Sequence, residues 1–327
     1  MKASHPLVSV IITSNSLERL RDLSELLGSI SRQVYKNVEV LIVIAHSREL
    51  FERLTSVIKN TRVHLVFEPR LINANKGRNH GLILSSGDIV VFLDDDVILP
   101  EAWIETLVST FSDDEVVGAT GPIRPLWQNR VYEWFPSELE WLIGCSGWFS
   151  KRDLCEIRGV LGTNASFRRE AVRGAGGYAD ELGPRGHFGS TRDETKELGE
   201  ETELSLRIRR FSGGKIVYNP RLLLYHKVQP YKLTIGFLSR RAFQVGRTRR
   251  VLRTLFARYR RDDVFDLEKR LVATMFVSGL LQLKQLLRQP TAIFKVWGLL
   301  GISVLFVVLG FSLPTPNLIR SERESVG

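Results

Sequence analysis

Cysteine is nearly missing from this chain of 327 residues, which holds only Cys145 and Cys155. Two thiols cannot build a disulfide framework and lack the ligand spacing of a zinc site, so both read as ordinary reduced thiols. Residues 1–20 lack a basic head, an apolar block and a small-residue cleavage site. This predicts no secretory signal, and an N-terminal domain that stays in the cytoplasm. Charge is missing altogether from residues 296–313, "VWGLLGISVLFVVLGFSL". Such a run approaches the ~20 apolar residues that cross a bilayer core, and a soluble helix is rarely apolar all round. One transmembrane helix is therefore expected at 291–313. Lys284, Arg288 and Lys295 before it place the N-terminal side inside, as in a single-pass cell-membrane protein. The run 271–283, "LVATMFVSGLLQL", is too short to span and reads as interfacial or re-entrant.

Acidic residues are scarce between Arg207 and Arg270, where eighteen Lys/Arg face four Asp/Glu. That local surplus of fourteen exceeds the +10 of the whole chain, so the positive charge is regional. Nucleic acid could attract it, but its place just before an apolar run favours membrane lipids or a phosphorylated lipid. No nucleic-acid partner is expected. Arg240 and Arg241, with Arg247, Arg249 and Arg250, are candidates to hold an acceptor phosphate, or to act as a general polybasic anchor.

What is abundant is alternation. "PLVSVIITS" (6–14) is a β-branched run, "LERLRDLSELLGSI" (17–30) repeats Leu and Ile at helical spacing, and "VEVLIVIA" (38–45) is a second buried strand. A helix at 49–59, a strand at 63–67, a helix near 75–85 and a strand at 88–93 continue the pattern. This predicts an α/β fold, a doubly wound, mostly parallel, Rossmann-like sheet. Downstream, the spacing predicts a helix at 100–111, one strand through "VVGATGPI", a helix at 201–211 and one or two strands in 214–228. Residues 125–160 follow no period, and 183–199 read as a mobile loop. The expected domains are 1–230, basic interfacial helices at 231–290, the span at 291–313 and a polar tail at 314–327.

The strand "DIVVFL" runs into Asp94, Asp95 and Asp96. Three carboxylates crowded together raise one another's pKa, and open α/β sheets bind ligands at this edge. Mg²⁺ or Mn²⁺ between these acids and a diphosphate relieves the repulsion, since such ions take one or two carboxylates plus phosphate oxygens. The bland alternative is a solvated turn.

Four ordered blocks carry a resemblance: "VSVIITSNSLERLRDLSELLGSISRQVYKNVEVLIV", "NKGRNHGLILSSGDIVVFLDDDVILP", "LGTNASFRREAVRGAGGY" and "GEETELSLRIRR". Together they resemble family 2 glycosyltransferases of the GT-A fold. The continuation is similar to archaeal and bacterial enzymes that glycosylate a polyprenyl or dolichyl phosphate, particularly those that add glucuronic acid to glucosyl-dolichyl phosphate. The resemblance implies an inverting transfer from a nucleotide sugar, foremost a UDP-sugar, to a lipid-linked acceptor. It makes Asp94 and Asp96 the outer acids of a DxD motif, with Asp96 the direct metal ligand and Asp95 secondary. Arg78 and Asn79 then lie beside the nucleotide, Asn164 near donor sugar or acceptor, and His226 near diphosphate or metal. Glu200 and Glu201 stand where the family has a Glu-Asp pair, with Glu201 as the general base. The chain departs from the family at Ala45-His46-Ser47, where an Asp usually reads uracil; His46 becomes the candidate base contact. A lipid-phosphate sugar synthase and an inactive, membrane-anchored nucleotide-sugar binder remain the alternatives.

Overall fold

A computed structural model describes residues 5–58, 61–70, 73–129, 132, 135–147, 149, 151–180, 199–256 and 290–313. The chain divides into two compact units, Met1–Pro230 and Tyr231–Gly327.

The first unit is a sheet with helices. Strands β1 (Val8–Ser14), β2 (Val38–Ala45), β3 (Val63–Glu68) and β4 (Ile89–Asp94) form its parallel half in the order β3-β2-β1-β4. Val10, Ile12, Ile42, Ile44 and Val91 are at most 4% exposed. Such mostly apolar runs are what a parallel sheet buried on both faces requires. Helices α1 (Leu20–Ser31), α2 (Arg48–Val57) and α3 (Ala74–Leu84) connect these strands. Each of α2 and α3 starts at a side-chain cap: Ser47 accepts from the Leu50 amide and Asn73 from the Lys76 amide. After β4 come β5 (Val97–Ile98), α4 (Trp103–Thr110), β6 (Val116–Thr120), β7 (Ile123–Trp127) and β8 (Cys155–Ile157). β9 (Ala165–Arg168), α5 (Arg169–Gly174), α6 (Glu200–Ser212), β10 (Lys215–Tyr218) and β11 (Leu224–Val228) complete the unit.

The sheet is more mixed than the alternation predicts. β9 inserts antiparallel between β4 and β6, and β8 lies antiparallel at the far edge beside β10. The single strand expected through "VVGATGPI" breaks at Gly121-Pro122. Pro122 has no amide hydrogen to give a ladder, and a Cβ on Gly121 would come within 2.4 Å of the Leu222 carbonyl oxygen. The chain therefore leaves the large sheet after β6, and β7 joins a second sheet of order β5-β11-β7. In 125–160, where no period is visible, a 3-10 helix occupies Ser137–Ile143.

In the second unit, α7 (Ile235–Phe256) and α8 (Pro290–Ser312) pack closely. A Cβ on Gly246 would lie 2.1 Å from the Val307 carbonyl oxygen, and one on Gly310 2.0 Å from that of Phe243. Arg250 Nη1 donates to the carbonyls of Phe311 and Ser312 at 3.1 and 2.9 Å, satisfying acceptors that the end of α8 leaves open. Among the described residues no helix is long and apolar enough to cross a membrane, so the span expected at 291–313 is not established by the fold. The runs 271–283 and 183–198 lie outside the described residues.

Candidate active site

The site forms at the C-terminal edge of the parallel strands. β1 pairs with β4 as far as Thr13 opposite Asp94, which brings Ser14 level with the acids that follow. Ser14 Oγ donates to Asp95 Oδ2 at 2.5 Å. The small sheet supplies the other wall. β11 sets His226 opposite Val97 on β5, and the Lys227 amide donates to the Asp96 carbonyl at 2.9 Å. His226 Nε2 then lies 3.3 Å from Asp96 Oδ1, while Nδ1 is 3.6 Å from Cys145 Sγ.

The three acids have different surroundings. Asp96 is 3% exposed, and its second oxygen, Oδ2, faces Arg19 Nη1 at 3.1 Å. Burial first, and Asp96 second, push the Asp95 carboxyl up to about 7, with Arg19 and Ser14 pulling the other way. Asp94 is the open member, its side chain 44% exposed, and it pairs with Arg78 Nη2 at 3.3 Å. Its amide donates to Thr163 Oγ1 at 2.9 Å, a contact that fixes the strand end against the Leu161–Asn164 turn.

Arg78 joins the acidic edge of β4 to the start of α6. Its Nη1 lies 3.4 Å from Glu200 Oε1 and 3.6 Å from Glu201 Oε1, and donates to Asn75 Oδ1 at 3.1 Å. The guanidinium also lies over the Tyr178 ring, 5.1 Å from its centroid. These acids and the ring raise the Arg78 pKa against the cost of burial, so it is a permanent cation. Burial first, and Glu200 second, push the Glu201 carboxyl up to about 8, opposed by Arg78. Sequence separations of 122 and 123 residues between Arg78 and these glutamates close here into one buried cluster.

The remaining predicted residues fall at different depths. Asn79 exchanges hydrogen bonds with the backbone of Tyr178, donating to its carbonyl and accepting from its amide, both at 2.8 Å. It therefore braces the segment that carries the Tyr178 ring. Asn164 is fully buried; its amide donates to the Leu222 carbonyl at 2.8 Å, and its oxygen has no hydrogen-bond partner among the described residues. His46 sits just beyond β2 with φ +61°, a left-handed backbone unusual for a non-glycine residue, and its Nδ1 is 3.0 Å from the Pro69 carbonyl. Arg240 and Arg241 belong to α7 in the second unit.

Several site residues escape sequence reasoning. Arg19 and Ser14 read as part of a helix and a strand, and Tyr178 only closes the third block of the resemblance. Lys227 is buried against Asp22 and Glu25, at 2.8 and 2.7 Å. For Lys227 one signal is available: a lysine inside an apolar strand needs a partner.

The donor set suits a hard divalent ion. Asp96 and His226 present an oxygen and an imidazole nitrogen to each other across 3.3 Å, a gap that one ion can share. Among the described residues no group of three or more His, Cys, Asp or Glu side chains is arranged to hold a metal. An ion held there would have these two protein ligands and take the rest of its shell from other oxygens, as Mg²⁺-type ions commonly do with phosphates and water.

Comparisons with known proteins bear on the fold and the family. A mannosyltransferase from Pyrobaculum calidifontis, solved in complex with GDP-Man and Mn²⁺, superposes with a TM-score of 0.59 at 17% identity, covering 95% of this chain and 87% of that one. This likeness is one of fold. The succinoglycan biosynthesis protein ExoM of Rhizobium meliloti is 25% identical over 241 residues, 70% of this chain and 71% of the relative. The glucosyl-dolichyl phosphate glucuronosyltransferase of Haloferax volcanii is 31% identical over 325 residues, 97% of this chain and 99% of the relative. The model of Glycosyl transferase family 2 matches residues 9–175. With an acidic strand edge, a buried Arg78 joining it to two glutamates and these matches, the chain belongs to glycosyl transferase family 2 and is a glycosyltransferase.

Proposed function

We propose that the protein transfers a hexose from a nucleotide sugar to a lipid-linked acceptor, a dolichyl or polyprenyl phosphate or its glycosylated form, with inversion at the anomeric carbon. The observation that carries this reading is Arg78, which binds Asp94 on the donor side and Glu200 and Glu201 on the other through one guanidinium. The full-length likeness to a protein named for glucosyl-dolichyl phosphate supports the acceptor class. The basic surplus between Arg207 and Arg270 and the uncharged run at 296–313 support attachment at the cytoplasmic face of a membrane.

In this reading the diphosphate lies over Asp94–Asp96. When bound by Asp96 and His226, Mg²⁺ or Mn²⁺ supplies neutralisation of the leaving diphosphate's charge. Arg78 adds a fixed positive charge from below and keeps Asp94 oriented. Glu201 takes the proton of the acceptor hydroxyl as its oxygen attacks the anomeric carbon opposite the diphosphate. A carboxyl held up near 8 retains an abstracted proton well, and it acts once it has itself ionised. A UDP-sugar is the proposed donor, with His46 at the place of the usual acidic base reader.

Full-length protein incubated with a panel of nucleotide sugars, Mn²⁺ and lipid acceptors tests the proposal through product masses. One hexose or hexuronic acid added to a lipid-linked sugar is expected. Addition only to bare lipid phosphate makes the protein a synthase, and neither transfer nor donor hydrolysis rejects the catalytic reading.

A further inference from the structure

The acidic corner is already occupied by a cation of the chain's own. Arg19 ends a 3-10 turn, Leu17–Arg19, directly before α1. Its guanidinium straddles the two buried acids, Nη1 at 3.1 Å from Asp96 Oδ2 and Nε at 3.9 Å from Asp95 Oδ1. The opposite oxygens are held as well: Asp96 Oδ1 faces His226 and Asp95 Oδ2 takes the Ser14 hydroxyl. Each of the four oxygens thus already faces a protein group, so a metal entering this corner has to compete with the Arg19 guanidinium for Asp96.

Arg19 also has a second place to go. Asp22 Oδ2 lies 3.4 Å from the same Nη1, one helical turn along. Asp22 is anchored from the far side by Lys227 Nζ at 2.8 Å, and Lys227 follows His226 on β11. A small rotation of Arg19 therefore trades Asp96 for Asp22 without leaving the charge unpaired. The same lysine ties that refuge to the strand bearing His226.

We infer that Arg19 is a resident counter-cation that excludes free divalent metal from the Asp95–Asp96 corner and yields, towards Asp22, only when a nucleoside diphosphate arrives with the metal. The inference rests on the proposed function and adds an order of binding to it. A diphosphate contributes two or three negative charges, enough to change the sign of the local balance; bare Mn²⁺ meets a guanidinium instead. Arg19 is a positioning residue here, acting through Asp96.

Mn²⁺ binding to the full-length protein, read from the free Mn²⁺ signal in electron paramagnetic resonance, tests this with Mn²⁺ alone and with UDP or GDP added. Removing a unit charge a few ångströms from the ion, in partly exposed surroundings, changes affinity roughly tenfold. Arg19→Gln is expected to tighten binding of Mn²⁺ alone by that factor and to shrink the enhancement given by the diphosphate, while Arg19→Lys stays close to wild type. Equal or weaker binding of Mn²⁺ alone by Arg19→Gln overturns the inference, as does an Arg19→Lys variant that behaves like Arg19→Gln. Should Arg19→Gln fail to fold, Asp22→Asn provides the converse: by weakening the refuge it is expected to lower affinity for Mn²⁺ alone, and no change overturns the inference. Absence of Mn²⁺ binding to wild type even with diphosphate rejects the proposed function itself, a result distinct from the others.

Discussion

Replacing Arg78 by Met isolates the interaction on which the site's assembly depends. The thioether keeps much of the volume and leaves Glu200 and Glu201, whose side chains are 7% and 15% exposed, without their cation. Asp94 is open enough for water to compensate, so its share is discounted. Removing one partner of a buried ion pair costs about 3–5 kcal/mol. Glu201 ionises only above about pH 8, so the loss develops fully only in alkali, where the lower end of that range is about 3 kcal/mol. For a unit of this size that corresponds to a Tm lower by roughly 6–12 °C. In mild acid the orphaned glutamates escape by protonation, and the loss should be less than half as large. Arg78→Lys keeps the charge without the two-armed geometry and should fall between. Thermal denaturation of the three proteins in acid and alkaline buffer provides the test. A Tm loss independent of pH, or below about 2 °C in alkali, would refute the buried charge cluster.

Other consequences concern pH, catalysis and backbone. Asp95, Glu140 and Glu201 have carboxyls raised to about 7, 7 and 8. Folded protein thus binds protons more tightly than unfolded, so their contribution is full below the ordinary carboxylate range and is lost as pH rises through 7–8. Denaturant midpoints should fall from mild acid to pH 8.5, and a rising trend contradicts the assignment. Glu201→Gln should lower transfer by roughly 10²-fold or more with donor affinity kept, and should abolish an ascending limb of the pH–rate curve near 8; an unchanged profile removes Glu201 from the base role. Gly144 has φ +83°, and a Cβ there would press within 3.0 Å of His226 Cε1. Gly144→Ala should therefore cost about 1–3 kcal/mol in stability and weaken diphosphate-dependent Mn²⁺ binding, measured by calorimetry; a neutral substitution shows that His226 is not held from that side.

The first ninety residues are legible because mostly apolar runs of strand length alternate with segments such as 17–30, where Leu and Ile recur at helical spacing. β9 is opaque: a short antiparallel strand, Ala165–Arg168, inserted between β4 and β6 leaves no local sign of its neighbours. The turn at Gly121-Pro122 was readable from proline's missing donor, yet the sheet switch it causes depends on β11, about a hundred residues later. Asp94–Asp96 stand out because like charges rarely cluster after a buried strand. Glu200, Glu201 and His226 come from the family resemblance, and the fold gathers them around Arg78 and Asp96. Arg19 and Lys227 stayed hidden because their partners are other elements: Asp96 lies 77 positions from Arg19, and Asp22 205 from Lys227.

The decisive measurement is titration calorimetry of a nucleoside diphosphate into the full-length protein with and without Mn²⁺, for wild type and Asp96→Asn. Binding that needs the metal and weakens at least a hundredfold in Asp96→Asn is predicted. Equal affinity without metal, or an unaffected variant, would contradict a metal-diphosphate seat at the end of β4.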